Sequence, residues 1–343
     1  MSKLIKALKT IYEDKYKILL IIPILLLVGA IAQIGYQTIT KGDFINRDVS
    51  LKGGMTIIIP LQGEIDDQKL EDFLKDKYPE NDISIRYLSS GTKVKGIIVA
   101  ADIFVEDTDK SESLIKDLTT LTKADRKDIS IEFMGSSLGQ SFFKETFTAI
   151  IIAFLFMGSI VFLYFGDTWQ HKTIMILLTL FSVILVYTSS NIFVSILTGI
   201  SIAVLIIMYI RFSIPSFAVI VAALSDMIIT LAIINIMGIK LSTAGIAAFL
   251  MLLGYSVDTD ILLSTRVLKR KEGSLMDRIY WAMKTGLTMN ITTIVALIVG
   301  LSLSQSEVIS QIMTILLIGL FVDIINTWIQ NVGILRLYLE KKR

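Results

Sequence analysis

The chain has 343 residues, 53% of them hydrophobic, with a mean hydropathy of +0.70 and a formal net charge of +2. That balance is too apolar for an ordinary soluble domain and places the chain among polytopic membrane proteins. There is no cysteine and only one histidine, His171; disulfides and thiolate metal sites are excluded, histidine-bound zinc or haem has no ligand set, and neither metal nor cofactor is expected.

Five lysines (Lys3, Lys6, Lys9, Lys15 and Lys17) precede an apolar run from Ile18 to Ile39. A cleaved signal peptide has an apolar core of only about 7–15 residues. Residues 18–39 are therefore read as a first transmembrane helix, behind a cytoplasmic segment 1–17. Residues 40–143 are rich in Asp, Glu, Lys and Ser. Periodicity there predicts strands at 55–61, 83–88, 94–101 and 129–134, with helices at 66–77 and 107–122. The order βαββαβ is the ferredoxin-like split unit. Asp66 and Asp107 are expected to open the two helices. Gly53-Gly54, just before the first strand, suits a sparsely allowed backbone or a close approach of strand and membrane mouth.

From Thr146 almost everything is apolar. Membrane helices are predicted at 146–165, 173–190, 192–210, 216–238, 243–263, 286–304 and 308–332, which with the first makes eight. The 173–210 pair, separated by Ser189, Ser190 and Asn191, is either a tight hairpin or a less regular pair. Residues 216–332 form a core of four helices, and 333–343 a cytoplasmic tail. The segments expected inside, 166–172, 211–215, 264–285 and the tail, carry Lys172, Arg211, Arg266, Lys269, Arg270, Lys271, Arg278, Lys284, Arg336, Lys341, Lys342 and Arg343. The short outer turns hold only Lys240. This is the positive-inside pattern, and it puts both termini in the cytoplasm and the 40–143 domain outside the cell membrane. The Lys269–Lys271 cluster is placed to meet anionic membrane lipid.

Four acids fall within these spans: Asp226, Asp258, Asp260 and Asp323. A carboxylate inside a bilayer costs at least a few kcal/mol and must face protein or water, so each is a candidate functional group. Asp226 and Asp323 sit about 15 Å from their cytoplasmic helix ends, and Asp258 about 9 Å, at 1.5 Å rise per residue. Arg266 lies two turns beyond Asp258 and Asp260. Such acids could take up and release a proton, each charge change biasing one of two bundle arrangements. The alternative is structural, with the acids satisfying one another, Asn235, Asn290 or backbone groups. Residues 166–173, GDTWQHKT, miss the phosphate-binding pattern because His171 stands where it needs glycine and no strand precedes it. No nucleotide or nucleic acid partner is expected, so any work is driven by a gradient or a partner. The G-x-G-D and Y-D pair of an intramembrane aspartyl protease is also missing.

One helix, a βαββαβ outer domain and a helix bundle are the layout of half a resistance-nodulation-division (RND) transporter. Four stretches narrow the resemblance. Asp48-Val-Ser-Leu-Lys-Gly-Gly54 resembles the D-x-x-x-x-G-G box after the first helix, and Gly135-Ser-Ser-Leu-Gly139 the box closing the outer domain. Ala222-Ala-Leu-Ser-Asp-Met-Ile-Ile-Thr230 resembles an acid-bearing membrane motif, and Gly254-Tyr-Ser-Val-Asp-Thr-Asp260 with Arg266 the G-Y-S-x-[DN] motif and its arginine. Together these resemble the SecF branch of the SecD/SecF protein-export family, its archaeal members above all. The implied fold is a polytopic α-helical RND-type half bundle of about eight transmembrane helices with a ferredoxin-like extracytoplasmic domain. The implied role is an accessory subunit of the Sec machinery, not an enzyme. It would work with a SecD-like subunit, the Sec translocon channel and the translocating preprotein, drawing on the proton motive force. The resemblance implicates Asp48, Gly53, Gly54, Gly254, Tyr255 and Ser256 as motif residues, and Asp226, Asp258, Asp260, Arg266 and Asp323 as relay candidates. The family usually has six membrane helices, so either 146–165 or 192–210 fills the place of its second. Thr259 stands where relatives have an aspartate, and Ser225 where bacterial relatives have histidine. A proton-coupled RND exporter of lipid or small molecules is the alternative reading.

Overall fold

The computed structural model describes residues 3–61, 67–79, 81–90, 93–104, 106–188, 191–270, 272–304 and 306–342. Helices α1 (Lys3–Asp14), α2 (Tyr16–Leu19) and α3 (Ile21–Lys41) come first, with α2 and α3 forming one apolar span. Gly42, at φ 74°, ends α3 by returning its N–H to the Thr38 carbonyl, a left-handed stop that glycine adopts without strain. A short α4 (Val49–Lys52) leads into the outer domain: β1 (Gly54–Pro60), α5 (Asp67–Lys77), β2 (Ile83–Ser90), β3 (Lys93–Ala101), α6 (Thr108–Thr122), a 3-10 turn (Arg126–Asp128) and β4 (Ser130–Met134).

The sheet order is β2-β3-β1-β4, antiparallel throughout, the ferredoxin-like arrangement that the pattern predicts. Its core follows the two periodicities. Met55, Ile57 and Ile59 of β1 and Ile97, Val99 and Ala101 of β3 alternate onto one face, and that face is covered by Leu70 and Leu74 of α5 and Leu114, Ile115 and Leu118 of α6. Asp107 occupies the N-cap position of α6, but its side chain makes no capping bond. Asp66 lies outside the described residues.

The rest is helical: α7 (Ser136–Phe165), α8 (Trp169–Tyr187), α9 (Ile192–Phe212), α10 (Ile214–Ile236), α11 (Thr243–Lys269), α12 (Leu275–Leu303) and α13 (Glu307–Ile325). A π-turn (Asn326–Asn331) and α14 (Val332–Lys342) follow without a break. Eight described helices are long and apolar enough to cross a membrane. Pro215 sits in the first turn of α10, where it lacks no needed N–H, and a Ser274/Asp277 capping box opens α12.

The helices outrun their apolar stretches. α7 starts ten residues before Thr146, because its polar first turns pack against α4 at the entry to the outer domain. α11 runs on to Lys269 and α12 starts at Leu275, so most of the expected inner segment 264–285 is helix. Lys271, Ser189 and Ser190 lie outside the described residues. α7 packs against both α10 and α11, whereas the α8–α9 hairpin lies against α7 through α8 and against α10 through α9. Two hydroxyl pairs glue that side: Ser159–Thr179 at 2.5 Å and Ser182–Ser201 at 3.1 Å.

The two glycine boxes form one joint. A Cβ on Gly53, whose φ is 89°, would lie 2.6 Å from Ser136 Cα, and one on Gly139 would lie 2.6 Å from Gly53 N. The base of α7 thus rests on the backbone that opens β1. Gly139→Ala puts a methyl against backbone that cannot swing aside, an overpacking cost of about 1–3 kcal/mol. The expected result is an outer domain that proteases cut faster than in the parent chain.

A second tie joins the outer domain to the loop between α10 and α11. Asp82 accepts from Lys240 at 2.7 Å and from Lys52 at 3.1 Å. Burial pushes the Asp82 carboxyl up, but the Lys240 and Lys52 ammonium groups outweigh it and hold the group below its ordinary value of 3.8. A carboxyl depressed on folding contributes stability that is whole above its unfolded value and lost as pH falls through its folded one. Protection of the domain edge from hydrogen exchange is therefore expected to be constant at neutral pH and to fade below pH 3.8. Asp82→Asn should flatten that dependence.

Candidate functional site: three carboxyls in the bundle core

Asp226 on α10, Asp260 on α11 and Asp323 on α13 are completely buried where these helices meet. At 1.5 Å per residue, Asp226 lies about 18 Å from the start of α10 and Asp260 about 14 Å from the end of α11. The Ser256 hydroxyl donates to Asp226 Oδ2 at 2.5 Å, and Asn326 Nδ2 to its Oδ1 at 2.7 Å. Asn331 Nδ2 donates to Asp260 Oδ1 at 2.7 Å. Asp323 accepts from Asn290 Nδ2 at 2.9 Å and from the Thr327 hydroxyl at 3.0 Å. Each carboxyl thus takes an amide N–H, and none of the described ion pairs reaches any of them.

The π-turn makes this convergence possible. An α-helix turns about 100° per residue, so five residues would carry Asn331 about 140° away from Asn326. The wider turn, closing i to i+5 rings, brings both amides back toward the carboxyl side, with Thr327 and Gln330 between them. Gln330 Nε2 reaches the Ser225 hydroxyl at 3.2 Å. From the other side, the Tyr12 hydroxyl of α1 donates to the Trp328 carbonyl within the turn at 2.9 Å.

The site is rich in acceptors. Asp260 Oδ2, Asn326 Oδ1, Gln330 Oε1 and Asn331 Oδ1 are buried without a protein partner, as are the hydroxyls of Thr230 and Ser264. Buried acceptors of this kind call for a proton, a water or an ion. Chemically the arrangement can bind a proton and register the change in charge, because an ionised carboxylate buried without a cation is expensive.

The six polar groups around these acids include four that sequence reasoning missed: Asn326, Thr327, Gln330 and Asn331. Their signal was present as four polar residues in the six of NTWIQN within an apolar span. Asn290 does meet Asp323, as the structural alternative allows. Asn235 instead donates to the Phe44 carbonyl in the outer linker. Asp48, Gly53 and Gly54 belong to the outer joint, and Ser256 is the motif residue that reaches the carboxyls.

Asp258 does not join them. Two helical residues place it about 200° around α11 from Asp260, and it is exposed beside the exposed Gly254 and Tyr255. Because α11 continues to Lys269, Asp258 lies about 16 Å from that end, deeper than the 9 Å expected of a helix ending at 263. Arg266 is half-buried and bonds to none of the acids.

Comparison with known proteins adds the lineage. The family model described as "Protein export membrane protein SecD/SecF, C-terminal" matches residues 114–196 and 189–341. A protein-export membrane protein SecF from Methanocaldococcus jannaschii is 34% identical over 333 residues, covering 96% of this chain and 97% of that protein. The chain belongs to the SecD/SecF family of protein-export membrane proteins. SecF proteins from Pyrococcus furiosus, 32% identical over 98% of this chain and 95% of theirs, and from Methanothermobacter thermautotrophicus, 33% identical over 86% and 85%, extend the match. In fold, the chain is similar to the crystal structure of SecDF, a translocon-associated membrane protein from Thermus thermophilus, with a TM-score of 0.58 at 16% identity. The match covers 96% of this chain and spans 38% of the length of SecDF. These relatives are named as export components, and the chain's helical bundle with its outer sheet is similar in fold to that of SecDF.

Proposed function

We propose that the chain is the SecF subunit of a two-part export complex, pairing in the membrane with a SecD-like chain and promoting release of preprotein from the translocon. The supporting observation from the comparisons is that this chain, which matches a SecF relative over nearly its full length, matches only 38% of SecDF. The orientation is that of the positive-inside pattern, with both termini in the cytoplasm and the sheet domain outside.

The energy is drawn from the proton gradient through Asp226, Asp260 and Asp323. The observation that carries this is three fully buried carboxyls at one helix junction, each held by an amide and none by a cation among the described residues. Gaining or losing a proton there changes which of the surrounding bonds are favourable. α10 and α11 flank the loop that Lys240 ties to Asp82, so a shift between these helices reaches the outer domain. Purification from native membranes tests the pairing. Recovery of a SecD-like chain in fixed ratio is expected, and a lone homotrimer would favour a small-molecule exporter. Reconstituted with that partner and the translocon, the complex should release preprotein faster when a proton gradient is imposed. The same rate with the gradient collapsed would remove the coupling.

A further inference from the structure

The N-terminal helix α1 puts a hydroxyl into the turn that aims the carboxyl-binding amides. In an unbroken α-helix Val332 would give its N–H to the Trp328 carbonyl. Here it donates to the Thr327 and Ile329 carbonyls instead. Widening the turn thus takes one regular donor from Trp328, and the Tyr12 hydroxyl supplies one at 2.9 Å. Trp328 is buried and shares an apolar cluster with Tyr12, Val332 and Leu335, where a carbonyl without a donor is costly. α1 is in turn held in place by the helix that follows the turn. Arg336 of α14 donates to the Tyr12 carbonyl at 2.9 Å and to the Glu13 carbonyl at 2.6 Å. These carbonyls lie in the last turn of α1, where a cation is favoured. The Tyr280 hydroxyl of α12 adds a bond to Glu13 Oε1 at 3.0 Å.

We propose that Tyr12 is a positioning residue: its hydroxyl holds residues 326–331 in the wide register, so the seating of α1 decides whether Asn331 faces Asp260. With the hydroxyl in place, the wide turn leaves the Trp328 carbonyl satisfied. Without it, the register that restores a donor to Trp328 is the α one. There Asn331 stands about 140° around the axis from Asn326. Asn326 then keeps its bond to Asp226, while Asn331 leaves Asp260 Oδ1. α1 touches none of the carboxyls, so Tyr12 acts on them through the turn alone. Displacing α1 would therefore change the environment of one acid of the three and spare the other two. The positioning holds whatever the carboxyls do; its effect on release rests on the proposed proton relay.

Tyr12→Phe in the full-length chain tests this, because Phe keeps the ring that packs on Tyr280, 6.2 Å between centroids, and loses only the hydroxyl. Backbone hydrogen exchange over 326–332 is expected to be about tenfold faster than in the parent, as for a lost buried bond. Exchange in β1 and β3 should stay the same, which separates a freed turn from a loosened fold. The infrared band of the Asp260 carboxyl, identified by its absence in Asp260→Asn, is the second readout. It should shift in Tyr12→Phe as it does in Asn331→Leu. Tyr12→Phe added to Asn331→Leu should shift it no further, since the amide that the turn aims is already gone. Tyr280→Phe, which removes a bond of α1 that does not enter the turn, should leave the band in place. An Asp260 band unmoved by Tyr12→Phe overturns the proposal, even if exchange quickens. If the band shifts while gradient-driven preprotein release is unchanged, the positioning stands and the role of Asp260 in the relay falls.

Discussion

Replacing Asp226 with Asn will leave the chain folded and joined to its partner, yet preprotein release under a proton gradient will fall to the rate measured with the gradient collapsed. Asn is nearly isosteric. Its carbonyl can still accept from Asn326 Nδ2, and its amide can donate to the Ser256 oxygen, so both bonds at 2.7 and 2.5 Å have a replacement. What disappears is the titratable proton. Asp226→Leu separates the two roles, because it leaves Ser256 and Asn326 unpaired in the core. Each orphaned group costs about 1–3 kcal/mol, so the Leu variant should also lose stability or partner. The comparison is made by measuring release in reconstituted vesicles, with and without an uncoupler, alongside recovery of the complex. Gradient-driven release unchanged in Asp226→Asn would remove Asp226 from the relay.

Asn331→Leu is expected to lower unfolding stability by about 3 kcal/mol, the upper range for stranding a buried polar group. Asp260 Oδ2 is buried without a partner among the described residues, and Asn331 Nδ2 donates to Oδ1 at 2.7 Å. The single change therefore strips this buried carboxyl of its amide donor. Asp260→Leu added to Asn331→Leu removes both members and should recover most of the loss. The coupling between contacting residues of this kind is about 0.5–3 kcal/mol. Thermal or denaturant unfolding in detergent reads it. If the double variant is simply additive, the Asn331–Asp260 bond does not hold the two helices together.

Much of the fold could be read from the chain because its determinants are local. Apolar runs long enough to span a bilayer mark the helices, and alternation in Met55–Ile59 and Ile97–Ala101 marks the paired central strands. Helix ends were less legible. Residues 136–145 and 264–269 are helical but too polar to count as membrane, so hydropathy stopped short of both. That error propagated to Asp258, whose depth depends on where α11 ends. Gly53-Gly54 suggested a close approach, but its contact with the Gly135–Gly139 box joins residues more than eighty positions apart, a relation periodicity does not carry.

From the sequence alone follow a membrane bundle, a βαββαβ outer domain, acids buried at a depth where they need partners, and a likeness to the export family. Tertiary structure alone decided which acids act together. Asp258 and Asp260 are two residues apart on a helix apolar on nearly every side, so no pattern says which one faces inward; the packing of α10 and α13 does. The amides that hold the carboxyls depend on a π-turn, whose single extra residue per turn rotates Asn331 into place. Rotation about a helix axis is set by what packs against it, and that is a property of several distant segments at once.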